Sequence, residues 1–202
     1  MENNSLKIFT KSLSLNLDNL NKYLKYKYEE MKLNNYSDKD TKFYDPGNHW
    51  ETYNIFNFYN EEIFDLKKGV LELTKENCSY YGIDFDEQKY MIHGWFNYYP
   101  VKTDIGVSKE NLRYHDHFPN PMTFHGYYCV NAEPSITYYK DVDNKIFDQI
   151  NKNNTLIVAK NGFPHSPGEW NQDTHRITIA YNILPLSVLI ENTGTRAPFI
   201  PL

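Results

Sequence analysis

From Lys89 onward the chain breaks into short segments rich in aromatic and β-branched residues, parted by turn clusters, and few folds accept that pattern. The segments are KYMIHGWFNYY (89–99), RYHDHF (113–118), TFHGYYCV (123–130), SITYY (135–139), TLIVA (155–159) and HRITIAYNIL (175–184). Such residues fit a pleated surface and favour strands. Many short strands joined by irregular turns build a sandwich or a barrel-like jelly roll. Two helical stretches come first. Residues 15–33 place Leu17, Leu20, Leu24 and Tyr28 at helical spacing, with Asn16 or Asp18 as cap. Residues 60–81 place Ile63, Leu66, Val70 and Leu73 on one stripe, and Gly82 follows as a stop. With 202 residues and no internal repeat or linker, one domain is expected over 1–202. It would have a helical front over 1–85 and a jelly-roll core over 86–190.

Composition narrows the partners. The 18 tyrosines predict a core or cleft that is large and partly polar. A net charge of −5 weighs against nucleic acid, because phosphate binding needs a basic surface. Cys78 and Cys129 are too few for a disulfide framework, so two reduced, buried thiols are expected. The segment MENNSLKIFTKSL has no apolar run suited to a secretion signal, and no stretch has membrane-spanning length. A soluble, cytoplasmic protein is expected. There is no Gly-rich phosphate loop, no CxxC pair and no GxSxG elbow.

Chemistry concentrates in the histidines and in one strand. His115 and His117 stand two apart in RYHDHF, and on a strand such residues point to the same side while Asp116 points away. A third ligand from a distant strand would complete a facial metal site with open positions. His165, in the Gly- and Pro-rich GFPHSPGEW, is the best candidate. In RITIAYN, Ile177, Ile179 and Tyr181 make one apolar face, and Arg176, Thr178, Ala180 and Asn182 make the other. A buried Arg needs an anion, and its planar fork suits a carboxylate. That anion is either a protein Asp or Glu, or a ligand. His165 precedes Arg176 by eleven positions. In a jelly roll this puts the ligand at one strand end and the Arg deeper on the next strand.

These residues resemble the Fe(II)/2-oxoglutarate oxygenases, and most closely an uncharacterised 2-oxoglutarate–Fe(II) oxygenase family of bacteria and phages. The resemblance runs in order through Trp95-Phe96-Asn97, His115-Asp116-His117-Phe118-Pro119, Gly126-Tyr127-Tyr128, His165 and Arg176-Ile177-Thr178-Ile179-Ala180-Tyr181-Asn182. It covers about residues 90–184, nearly half the chain. It implies a double-stranded β-helix, cupin-like, with His165 as the distal metal ligand. It implies that Arg176 and Thr178 bind the far carboxylate of 2-oxoglutarate. Asn97 and Tyr99 match an Asn-x-Tyr that contacts 2-oxoglutarate in related demethylases, although the stretch from Tyr99 to His115 is longer here. Asn182 would add a polar contact to cosubstrate or substrate.

The proximal motif of that superfamily is His-x-Asp or His-x-Glu, and here it reads His-x-His. Three arrangements follow. His115, His117 and His165 all bind; or Asp116 is turned in beside His115 and His165; or one histidine supports the ligands without binding. An all-imidazole set binds Fe(II), and it also opens the site to Ni, Co or Zn. The implied reaction is hydroxylation of a small molecule or peptide with O2, releasing succinate and CO2. Two other functions stay open: a three-His cupin-like metalloprotein that uses no 2-oxoglutarate, and a non-catalytic binding module. An exposed strand edge and the aromatic content are compatible with a homodimer. His125 and His175 flank the expected site, and Lys160 is placed to meet an anionic substrate.

Overall fold

The computed structural model describes residues 6–35, 45–99, 113–118, 120–191 and 194–202. In chain order these form β1 (Ile8–Ser12), α1 (Leu17–Asn35), 3₁₀ turns at Pro46–Thr52 and Ile55–Asn57, and α2 (Glu61–Tyr81). Then come β2 (Tyr90–Tyr99), β3 (Phe124–Asn131), β4 (Ser135–Lys140), β5 (Ile146–Asn151), β6 (Thr155–Lys160), β7 (His165–Pro167), β8 (Arg176–Pro185), α3 (Leu186–Glu191) and β9 (Ile200–Pro201). The strands make a large sheet, β1-β6-β3-β8-β2-β9, and a small one, β5-β4-β7. All the pairings are antiparallel. This is a double-stranded β-helix with helices packed outside it.

Both helices end where their side chains dictate. Asn16 Oδ1 accepts from Asn19 N at 3.1 Å and caps α1. Asn60 Oδ1 does the same for Ile63 N, at 3.2 Å, at the start of α2. Gly82 closes α2 with φ +68°, and its N–H reaches the carbonyls of Cys78 and Ser79. The stripes face the large sheet. Leu20, Leu24 and Tyr28 of α1 join Ile63, Leu66, Val70 and Leu73 of α2 against Phe96, Tyr98, Val158, Ile177, Ile179 and Ile183. Each such side chain contributes roughly 1.5–3 kcal/mol by leaving water.

The alternation in β8 sends its other face between the sheets. There Tyr127, Cys129, Ile157 and Ala159 of the large sheet pack with Tyr139 of β4. Cys78 and Cys129 are free and buried. Register fixes who meets whom on this inner face. Tyr99 lies opposite Arg176, Asn97 opposite Thr178, Trp95 opposite Ala180, and His93 opposite Asn182. On the other flank of β8, Cys129, Tyr127 and His125 face Thr178, Ala180 and Asn182. A polar row thus crosses an otherwise apolar interior.

One expected strand is absent. Residues 113–118 pair only through His115, in a single bridge to His165. The reason is local: Asp116 accepts from His117 N (2.8 Å) through Oδ1 and from Gly162 N (3.0 Å) through Oδ2, and the chain turns. Phe118 then sits at φ +44°. Pro119, part of the motif above, and residues 100–112 lie outside the described residues. Among the described residues no helix is long and apolar enough to cross a membrane.

Candidate functional site

Two backbone hydrogen bonds set the histidines. His115 N donates to His165 O (3.0 Å), and His165 N donates to His115 O (2.9 Å), so the two imidazoles share a side. Their ring centroids are 4.4 Å apart. The turn at Asp116 brings His117 round to 5.0 Å from His115 and 5.2 Å from His165. One ring nitrogen from each of the three lies within 4.8 Å of the other two. The Asp116 carboxylate is committed to backbone N–H groups and stays outside this group.

A fourth imidazole, His125 of β3, stacks on His165 at 4.3 Å and 11°. His125 is not among the three whose ring nitrogens group within reach of one ion. The His125 tautomer is set by its neighbour. Asn161 Nδ2 donates to Thr123 Oγ1 (2.8 Å), which leaves Asn161 Oδ1 to accept from His125 Nδ1 at 2.6 Å. His125 Nε2 is left buried without a partner, as are His117 Nε2 and His165 Nδ1.

Burial holds these rings neutral. His117 is pushed down to about 3, first by loss of water and then by the fields of His125 and His115. His125 falls to about 4, and His165 falls well below its ordinary value, in both cases mainly through burial. Neutral imidazoles with open lone pairs are what a divalent transition ion requires. The donor set therefore fits such an ion, and His115, His117 and His165 are the residues able to hold it.

Beside them lies a cavity of about 170 Å³. The three histidines line one end, and Arg176, Thr178, Asn97 and Tyr99 line the other. Arg176 is 5% exposed. Among the described residues it makes no ion pair, and its Nε has no hydrogen-bond partner. The Tyr99 ring lies 5.7 Å from its guanidinium carbon. Asn97 Nδ2 donates to Thr178 Oγ1 at 3.2 Å, which leaves the Thr178 hydroxyl hydrogen free. Asn182 lines a different cavity, of about 430 Å³, together with Trp50, Trp95, His115, His117 and Phe118.

The sequence reading placed two further residues near the site that the structure puts elsewhere. His175 precedes Arg176 and so faces the opposite way, stacked on Tyr98 at 5.1 Å with Nε2 3.0 Å from Asn21 Oδ1 of α1. Lys160 Nζ lies over Tyr81 of α2. The sequence reading also missed Asp45, Trp50 and Asn161. They sit outside the periodic segments and carried no signal. The alternation His125, Tyr127, Cys129 was enough to put His125 on the inner face.

No family model matches the sequence, and no curated protein does. Solved structures do share its architecture. One is the non-heme α-ketoglutarate-dependent epimerase SnoN from nogalamycin biosynthesis, with a TM-score of 0.54 and 9% identity, covering 88% of this chain and 76% of that one. Another is a Shewanella oneidensis protein described provisionally as an oxygenase, with a TM-score of 0.51 and 12% identity, covering 90% and 83%. At such identities the likeness carries the fold, and the chain is a double-stranded β-helix in which three histidines share one cavity with an arginine that has no ion pair among the described residues.

Proposed function

We propose that this protein is a 2-oxoglutarate-dependent oxygenase, with Fe(II) held by His115, His117 and His165. The observation that carries this reading is Arg176. A buried guanidinium that forms no ion pair among the described residues, and feels Asp45 only through its field, is costly, and it opens onto the same small cavity as the three imidazoles. A ligand with a carboxylate at one end and a metal-chelating group at the other satisfies both ends of that cavity.

Each residue then has a part. The Arg176 fork takes the far carboxylate of 2-oxoglutarate in bidentate fashion. The Thr178 hydroxyl, whose lone pair is occupied by Asn97, donates to a carboxylate oxygen. Tyr99 fixes the guanidinium plane, and Ala180 and Tyr127 close the wall against water. Bound there, Fe(II) with 2-oxoglutarate supplies the O2 activation that yields succinate, CO2 and an oxidised substrate. The substrate is a small molecule or peptide.

Calorimetry on the Ni(II)-loaded protein tests the assignment. Arg176→Ala is expected to weaken 2-oxoglutarate binding by about 100-fold, ~3 kcal/mol, while Ni(II) binding stays. Unchanged 2-oxoglutarate affinity would instead favour a three-histidine metalloprotein that uses no 2-oxo acid.

A further inference from the structure

The three-histidine group borders two cavities, and only one of them holds the anion anchor. The second and larger one shares Trp95, His115 and His117 with the first and adds Trp50, Phe118 and Asn182. Arg176 lines only the first. Six residues of β8 separate Arg176 from Asn182, about 20 Å at roughly 3.3 Å per residue.

The walls of this second cavity are built rather than incidental. His93 Nε2 lies 2.9 Å from both the Trp50 and the Tyr53 carbonyl oxygens, so that nitrogen carries the proton and pins the Trp50 backbone. The Trp95 indole stacks on His93 at 5.5 Å and on His117 at 5.9 Å. Trp50 and Trp95 meet at 5.8 Å and 47°, which makes an aromatic notch. Asn182 is 1% exposed, yet its Oδ1 has no donor. Native proteins rarely leave a buried acceptor open. Among the described residues no Lys or Arg lines the cavity, and the one carboxylate there, Asp116, is taken up by backbone N–H groups.

We propose that this cavity is the substrate chamber, and that it takes an uncharged, planar ring that lies in the Trp50–Trp95 notch and donates an N–H or O–H to Asn182 Oδ1. The substrate role rests on the oxygenase reading; the ring preference does not. An anion finds no cation here, and a cation would sit beside the metal's own charge. Aromatic faces favour an aromatic partner in an offset or edge-on pose. A site built to receive a donor rejects the analogue that lacks one.

Ligand-observed fluorine NMR with the metal-free protein tests this. The probes are 5-fluoroindole, 5-fluoro-1-methylindole and 4-fluorobenzoate. The first should bind, the second at least about tenfold more weakly, and the third not at all. Asn182→Leu should remove the difference between the two indoles. Trp50→Ala, at a half-buried side chain outside the core strands, should weaken both indoles, and it keeps the test alive if the Asn182 variant does not fold. Equal binding of the two indoles, preference for the benzoate, or no binding by any ring would overturn the proposal. Because no metal or 2-oxoglutarate is present, those failures are separate from loss of the cosubstrate role tested at Arg176.

Discussion

Asp45 lies within the field of Arg176 and is 7% exposed. Burial pushes it up to about 6, against the pull of the Gly47 and Tyr98 N–H groups and the Arg176 guanidinium. The folded chain therefore binds this proton more tightly than the unfolded chain, whose carboxyl titrates near 3.9. Its contribution is fully present below about pH 4 and is lost as pH rises through about 6, which costs about 3 kcal/mol by pH 8. Asp45→Asn keeps an acceptor for Gly47 N and removes the charge. Urea unfolding should find this variant more stable than the parent at pH 8 by up to about 3 kcal/mol and equal to it at pH 4. Equal stability at both values would mean that Arg176 fully compensates the buried charge. Asp45 was not legible in the sequence, because it belongs to a loop with no period. Arg176 and Thr178 were, since alternation along RITIAYN put both on a face with no apolar partner. Asn182 shares that face, but only register shows that it ends six residues away in a separate cavity.

At the scale of elements, what could be read depended on how many local signals agreed. The second helix was expected over 60–81 and occupies Glu61–Tyr81, because its cap, stripe and stop all point to the same ends. Strand β8 was equally plain. The strands β1, β5, β7 and β9 were not seen. IFTKS, HSP and IP are too short to show a period, and IFDQIN is largely exposed. They become strands because a neighbour offers hydrogen bonds, as β6 does for β1. Residues 113–118 failed in the opposite sense: a strand-like composition lost to the Asp116 turn, and the histidines still converged through a single bridge. Two glycines show how differently elements tolerate a methyl group. At Gly126 of β3 a Cβ would strike the Ile157 carbonyl and the Tyr181 hydroxyl. At Gly82 nothing lies within 4 Å, and only the positive φ opposes a side chain. Gly126→Ala should cost about 2–3 kcal/mol by overpacking, and Gly82→Ala about 1 kcal/mol, both by chemical denaturation. The reverse order would mean that the Tyr181–Ile157 contact gives way easily.

The whole molecule separates stability from chemistry by the two faces of one sheet. The outer face takes both long helices and the larger apolar cluster. The inner face carries a polar row that the small sheet covers, and beside it His117 Nε2, His165 Nδ1 and Arg176 Nε lie buried without partners. Such groups cost stability in the bare protein, and a metal ion with a dicarboxylate would satisfy them. The fold class was legible because strand composition, helix stripes and chain length agreed. The order of strands was not, since long-range pairing leaves no local trace. The central claim is that one cavity holds a metal ion and a 2-oxo diacid together. The measurement closest to it is an anaerobic titration of the metal-free protein with Fe(II) and 2-oxoglutarate, followed by visible absorption. A weak charge-transfer band that needs both additions and is lost in Arg176→Ala is the expected result. A protein that binds Fe(II) and gives no band with 2-oxoglutarate would contradict the account.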